Sequence, residues 1–156
     1  MKKTTYFLLG LASMVLLTAC SDDDGNSSGF SPEELVGTWD LTAVNVSSEV
    51  DLNDDGVSSS NLIDEQDCIS GTITINADNT YQFQQSNFSI TPITGGLYFV
   101  DCNGTVQATG AWASDGVQVA FQGSTTLGTV QLSGNRIIKR VDQYFPGLLS
   151  NTYELS

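Results

Sequence analysis

Apolar and polar residues alternate along most of the chain after residue 37, a pattern typical of β-strands with one buried face. The clearest example is residues 69–76, where isoleucine and glycine alternate with serine, threonine and asparagine. No later segment keeps a 3.6-residue period. About nine short strands are predicted, at residues 39–43, 69–76, 81–84, 97–100, 106–112, 117–121, 127–132, 136–143 and 151–155.

Short turn sequences join these predicted strands. Turns are expected at residues 77–79, 114–116 and 133–135, and Asn103-Gly104 is typical of a hairpin turn. Residues 31–34, Ser-Pro-Glu-Glu, have the spacing of a capping box and predict one helical turn. Because the connections leave no room for crossover helices, we predict an all-β fold: an antiparallel up-and-down barrel of about eight strands. A β-sandwich is the alternative.

The first twenty residues have the composition of an export signal. A short basic start, Met1-Lys2-Lys3, precedes an apolar run from Tyr6 to Leu17. A helix of that length is too short to cross a hydrocarbon core of about 30 Å, but it suits a signal peptide. The run ends in Leu17-Thr18-Ala19-Cys20, which resembles a bacterial lipobox and implies cleavage before Cys20 and acylation of that cysteine. An ordinary signal peptide with an accidental cysteine is the alternative.

The lipobox divides the chain into three parts. Residues 1–19 are the predicted signal peptide, 20–30 the lipidated cysteine and a flexible acidic tether, and 31–156 the β-barrel domain. The serine and aspartates that follow Cys20 resemble the surface-export signal of some Gram-negative lipoproteins. We therefore expect a lipid anchor in the outer membrane and a domain that faces the cell exterior; a merely solubilising linker is the alternative.

Composition excludes several classes of function. The chain has 156 residues, 18 acidic and five basic side chains, no histidine and three cysteines. A net charge of −13 argues against nucleic acid as a partner, and removal of Lys2 and Lys3 would leave three bases against 18 acids, or −15. Without histidine there is no Ser-His or Cys-His catalysis. The chain also lacks nucleophile-elbow, P-loop and dinucleotide motifs, and we predict that it is not an enzyme.

Two cysteines, Cys68 and Cys102, remain in an exported, oxidising setting. We expect them to form a disulfide that closes a loop of about 35 residues and contributes roughly 3–4 kcal/mol in the chain-entropy model. Two reduced, buried cysteines are the alternative.

Seven of the 18 acidic residues lie between Glu49 and Asp67, in a segment that resembles the start of an EF-hand loop. Asp, Asn, Asp and Gly occupy positions 1, 3, 5 and 6, and position 12 is leucine rather than glutamate. Short oxygen side chains with this spacing converge on a hard cation, so bound calcium is one prediction and a solvated acidic loop is the other. Asp64, Glu65 or Asp67 would have to complete the site. The predicted ligands are Asp51, Asn53, Asp55, the carbonyl of Val57 and an oxygen of Ser59.

Three short motifs make residues 31–156 similar to a bacterial lipocalin-like lipoprotein domain. The helical turn leads into Gly37-Thr38-Trp39, which resembles the Gly-x-Trp of the first lipocalin strand; Gly110-Ala111-Trp112 and Asn151-Thr152-Tyr153-Glu154 are also similar to that group. The resemblance implies that Gly37 and Trp39 are structural and that Trp39 closes the barrel floor. It also implies an arginine, Arg136 or Arg140, packed across the indole.

The resemblance implies a non-catalytic, membrane-anchored barrel that binds a small apolar or amphipathic ligand. An open interior would favour that function and a packed one would disfavour it. The alternative is a cell-surface adhesion or protein-interaction module whose acidic loop calcium stiffens; its protein partner is not identified by the sequence. An enzyme that uses loop carboxylates is the least favoured function. The side chains expected to face the interior are Leu41, Ile73, Ile75, Tyr81, Phe83, Trp112, Val119 and Phe121.

Overall fold

The fold is known from a computed structural model, which describes residues 29–142, 145–146 and 150–156. The predicted signal peptide, Cys20 and almost all of the tether lie outside the described residues. Among the residues that are described, no helix has the length and apolar character needed to cross a bilayer.

Nine strands and two short helices make up the described chain. Helix α1 spans Pro32–Leu35, helix α2 spans Leu62–Glu65, and a single 3-10 turn spans Thr94–Gly96. The strands are β1 (Gly37–Val50), β2 (Ser59–Asn61), β3 (Gly71–Ile75), β4 (Thr80–Pro92), β5 (Tyr98–Ser114), β6 (Gln118–Phe121), β7 (Thr129–Ser133), β8 (Arg136–Asp142) and β9 (Ser150–Leu155).

All strand pairs are antiparallel, and from β3 to β9 each strand pairs with the next one along the chain. Two long strands, β1 and β5, each belong to both of the two sheets. β1 pairs with β3 through Gly37–Asp40 and with β9 through Leu41–Val46, while β5 pairs with β4 through Tyr98–Ala111 and with β6 through Trp112–Ser114. The predicted all-β, antiparallel up-and-down architecture with a short N-terminal helix is confirmed. We call it a barrel-like sandwich, because the strands that change sheets form its corners.

The hairpin turn predicted at Asn103-Gly104 is wrong. β5 runs without interruption through these residues, and the turn between β4 and β5 lies at Thr94–Gly96. At Asn103-Gly104 the register between the two strands shifts, and Gly104 has a φ of 80°. A positive φ serves a β-bulge as well as a hairpin turn, which is why the dipeptide alone did not distinguish the two.

The buried side chains form two clusters between the sheets. Leu41, at the place where β1 changes sheets, is half-buried and packs against both. The lower core consists of Leu35, Trp39, Ile73, Ile75, Tyr81, Phe83, Trp112, Val119, Phe121, Leu127, Val130 and Ile137. The upper core consists of Val44, Val46, Val50, Leu52, Leu62, Ile69, Phe88, Ile90 and Phe145.

The N-terminal segment closes the lower end. Leu35 of α1 is fully buried, and its carbonyl accepts a 2.9 Å hydrogen bond from the indole Nε1 of Trp39. The Phe30 ring packs edge-on against Trp39, with 6.3 Å between ring centroids. The Phe30 amide donates to the carbonyl of Gly116 at 3.0 Å. Since helix, first strand and β5–β6 turn meet here, the end beside α1 is sealed by packing.

Candidate functional site

The eight side chains expected to line a ligand cavity lie within or against the lower core. Seven of them are at most 5% exposed, and Leu41 is half-buried. The Tyr81 ring packs edge-on against Phe121 at a centroid distance of 4.9 Å, and its hydroxyl donates to the carbonyl of Gln122 at 3.1 Å. The indole of Trp112 donates to the carbonyl of Asn76 at 3.0 Å. These side chains therefore fill the space between the sheets with one another and satisfy their polar atoms locally.

This packing requires a glycine at position 110, which pairs with Tyr81 of β4 and lies two residues before Trp112 on β5. The Gly110-Ala111-Trp112 motif did not indicate the reason. A Cβ atom at this position would collide with the carbonyl oxygen of Gln122. Glycine is thus required by the close approach of the β6–β7 loop to β5. The sequence contains no signal for this contact, because the two backbones meet only in the folded chain.

Of the residues predicted to be structural, Gly37 begins β1 and Trp39 is buried as expected of a residue at the closed end. Arg140 lies on β8 with an exposed side chain, and so does Arg136. Phe30 makes an edge-on ring contact with Trp39. The N-terminal segment therefore covers part of the indole.

The acidic loop between β1 and β2 is ordered by its own side chains. Both carboxylate oxygens of Asp51 accept backbone hydrogen bonds, from the amide of Asp55 at 3.1 Å and from that of Gly56 at 2.9 Å. Asn53 and Asp55 are joined by two further hydrogen bonds, and the amide of Val57 donates to Asp55 at 2.8 Å. The three side chains predicted as calcium ligands at positions 1, 3 and 5 therefore lie on one side of a tight loop.

Two of the three carboxylates that could complete the calcium site, Asp64 and Glu65, accept hydrogen bonds from other groups. Asp64 accepts a hydrogen bond from the hydroxyl of Ser59 at 2.9 Å, and Glu65 is buried and accepts from the amide of Leu52 at 2.9 Å. Among the residues described, no three His, Cys, Asp or Glu side chains form a group able to hold a metal. The oxygen-rich donor set suits a hard cation in its chemistry, and calcium binding stays a prediction.

The predicted disulfide joins Cys68 to Cys102, with 6.3 Å between their Cα atoms. Cys68 follows α2, and Cys102 lies next to the bulge of β5. The bond therefore attaches the segment that covers the upper core to the longest strand of the molecule.

The upper end exposes apolar side chains that sequence reasoning missed, because residues 97–100 have the pattern of an ordinary apolar strand. Four large side chains with exposed fractions between 46% and 67% form what we call the apolar rim: Val57, Ile93, Leu97 and Phe99. Val57 lies in the acidic loop, and the other three lie on the β4–β5 hairpin. A surface pocket of about 270 Å³ lies between the acidic loop and the β4–β5 hairpin. Glu49, Asp51 and Asp54 line one side of it, and Leu97 and Tyr98 line the other. The rim thus combines apolar side chains with negative charge.

Comparison with known proteins yields a family but no relative with an assigned role. No curated protein and no solved structure matches the chain. A family model described as Domain of unknown function (DUF5004) matches residues 17–146. Because the match covers most of the chain, the protein belongs to the DUF5004 family.

Proposed function

We propose that this chain is an exported, lipid-anchored and non-catalytic lipoprotein of the outer membrane, and that its β domain is a protein-interaction module facing the cell exterior. The anchor part of the proposal is supported by the lipobox-like Leu17-Thr18-Ala19-Cys20 and by the acidic tether that follows. The interaction part is supported by the surface of the upper end.

The observation that carries the proposal is the apolar rim. Large apolar side chains exposed together are unusual on a protein that works alone, since each Å² removed from water by a partner contributes about 25 cal/mol. At this end they border the acidic loop, so the surface has an apolar part and a charged part within one contact area. Interfaces commonly combine such parts, the first for affinity and the second for orientation.

The packed lower core favours this function over carriage of a small ligand in the interior. The side chains that would line the cavity are buried against one another, and Tyr81 and Trp112 use their polar atoms on backbone carbonyls. A ligand would have to displace these contacts before it could enter. A partner at the rim would displace only water.

The hydrogen bonds of two neighbouring loop carboxylates support the non-catalytic part of the proposal. Asp64 and Glu65 are neighbours, but the first bonds to Ser59 and the second turns inward to Leu52. Two carboxylates that shared a substrate would have to face one cleft.

Site-specific photo-crosslinking on intact cells tests the proposal. The full-length chain would carry a photoreactive side chain at Phe99, or at Val117 as the control; Val117 is equally exposed, at 60%, but follows the β5–β6 turn at the lower end. We expect a discrete adduct of higher mass from Phe99 that is absent from Val117 and is abolished by Leu97→Ser. The absence of an adduct at Phe99 would overturn the proposal. So would native mass spectrometry that finds a lipid bound non-covalently to the isolated full-length chain, in addition to the lipid attached at Cys20, because that result favours ligand carriage.

A further inference from the structure

Strand β5 has an outer edge along which no strand of the described chain runs. β5 pairs with β4 from Tyr98 to Ala111, but β6 reaches it only at Trp112–Ser114. The stretch of β5 from residue 98 to residue 107, which we call the free edge, therefore has a strand on one side only. An uncovered edge presents a row of backbone donors and acceptors to its surroundings.

The hydrogen-bond pattern identifies the groups that point along the lower half of the free edge. The carbonyl of Ala111 accepts from the amide of Gln122 at 2.8 Å, so residue 111 directs its backbone away from β4. In an antiparallel ladder every second residue points the same way. Below the bulge, Thr105 and Gln107 therefore direct both their N–H and C=O groups outward.

In the upper half of the free edge, the bulge reverses the alternation between residues that face β4 and residues that face outward. The amide of Ile93 donates to the carbonyl of Leu97 at 2.9 Å, so residue 97 faces β4. The next residue, Tyr98, and then Val100 direct their backbone groups outward. Four residues along the free edge thus offer eight hydrogen-bonding groups that the strand pairing of the described chain does not use.

The side chains next to the free edge are incompletely covered as well. Tyr98 and Val100 pack against the upper core, and Val106 and Ala108 against the lower core, yet all four are only half-buried. A strand added beside β5 would place alternate side chains over them. On this side of β5, the strand pairing of the described chain therefore leaves backbone hydrogen-bonding groups unused and apolar side chains only half-covered.

The edge of the neighbouring strand β4 carries protection that the free edge lacks. On β4, the opposite side of the same hairpin, Pro92 has no amide to offer, and the segment around Cys68 is attached by the disulfide. Residues 98–111 contain no lysine, arginine or proline, and Asp101 is their only charge. Lysine and proline are the usual means of blocking an exposed edge.

We propose that the free edge of β5 binds an extended polypeptide segment of a partner protein, which adds to the sheet as a further strand. This inference rests on the proposed interaction function and names the partner chemistry. Backbone groups in a ladder are recognised by another extended backbone, and the half-covered side chains call for apolar residues at every second position. The net charge of −13, with Asp101 on the strand itself, selects a basic segment and disfavours a second, equally acidic copy.

A synthetic peptide of ten alternating lysine and valine residues, blocked at both ends, is the probe. It would be titrated into the full-length chain in detergent while NMR follows hydrogen exchange of single amides. In the free protein we expect fast exchange at Val100 and Gln107 and slow exchange at Phe99 and Val106, which bond to β4. The probe should slow exchange at the first pair at least tenfold and leave the second pair unchanged. Slow exchange at Val100 and Gln107 before addition would overturn the proposal.

Two controls separate strand addition from charge attraction. The same peptide with all backbone nitrogens methylated keeps its charge but cannot donate, so equal binding of both peptides would contradict strand addition. Gln107→Pro removes one amide that points outward and makes no hydrogen bond to β4. It should weaken probe binding at least tenfold, whereas Gln107→Ser should not. A dimer of the unmodified chain that Gln107→Pro dissociates would mean that a second copy occupies the edge, which overturns the proposed occupant.

The strand proposal and the interaction function fail in different ways. If the adduct at Phe99 persists on cells while the probe fails to bind, the interaction module stands and strand addition is wrong. If the probe binds and no adduct forms, the edge is competent and the proposed function is wrong.

Discussion

The two ends of the barrel-like sandwich are built by different means. At the lower end, five large aromatic side chains in the core and helix α1 exclude water by packing, and Trp39 and Trp112 bond to backbone carbonyls. At the upper end the core is smaller, a disulfide attaches its cover, and a polar loop bonds to itself. The lower end is therefore the stable base. The upper end, with its exposed rim and unpaired strand edge, is the surface available to a partner.

The largest expected effect separates a lower-end aromatic from an upper-end one. Trp39→Ala should lower the free energy of unfolding of the full-length chain by about 3–5 kcal/mol, because a buried ring is lost and a cavity remains. Phe99→Ala, at 61% exposure, should change it by no more than about 0.5 kcal/mol. Denaturant unfolding measures both. Equal losses would contradict the division between base and surface.

Removal of the disulfide should loosen the upper end selectively. We expect Cys68→Ser combined with Cys102→Ser to cost about 3–4 kcal/mol, since the bond closes a loop with a sequence separation of 34 residues. Hydrogen exchange should accelerate first at Leu62 and Ile69 and later at Ile73 and Val119. The reverse order would show that the two cores are not independent.

Calcium, if the acidic loop binds it, acts on the upper end alone. At ten times a Kd in the range of about 10⁻⁴–10⁻³ M, the ion should stabilise the full-length chain by about 1.4 kcal/mol. Asp51→Asn should abolish the heat of binding measured by calorimetry, and Asp40→Asn, at an exposed position on β1 outside the acidic segment, serves as the control. An unchanged heat in Asp51→Asn would remove the loop as the site.

The smallest expected effect is a loss of folding stability at acidic pH, which arises from the turns at Asp78 and Asp115 at the lower end. The side-chain hydroxyl and then the backbone amide of Thr80 lower the pKa of Asp78, and the amides of Val117 and then Gln118 lower the pKa of Asp115. A carboxyl with a depressed pKa in the folded state stabilises the fold above its unfolded pKa and loses that contribution as the pH falls through the folded value. Stability should therefore decline below about pH 4.

Unfolding measured from pH 7 down to pH 2 checks this. Combined Asp78→Asn and Asp115→Asn should flatten part of the decline, while Asp67→Asn, at an exposed position outside these turns, should not. A decline of unchanged steepness in the double variant would assign the acid dependence to other groups.

Much of the β meander is legible in the sequence because its determinants are local. Alternation at residues 69–76 and at Tyr81 and Phe83 reflects the two-residue period of a strand, and Asp78-Asn79 and Asp115-Gly116 form the turns expected of them. The eight side chains predicted to face inward do so for the same reason. The period decides which face a residue lies on, wherever the sheets then go.

The candidate site was less predictable, and particular residues show why. Asn103-Gly104 supplies a positive φ, and only the pairing with β4 determines that a bulge results. Residues 59–65 form β2 and α2 instead of continuing the acidic loop, because Asn61 and Glu65 find partners at Val44 and Leu52. Residues 97–100 have the pattern of an ordinary strand, but the structure places Leu97 and Phe99 on the part of the β4–β5 hairpin that extends beyond Gln85, the last residue of β4 paired with β3.

The sequence by itself determined the all-β class, the cysteine pair and the inward-facing residues, since period, composition and redox setting are properties of short stretches of chain. The lipobox-like segment and the calcium loop are likewise legible there, and they remain predictions. Only the tertiary structure decided that the interior is packed, that β1 and β5 change sheets, and that β6 leaves the outer edge of β5 uncovered. These depend on where strands of unequal length end relative to one another, a long-range relation that no local pattern encodes.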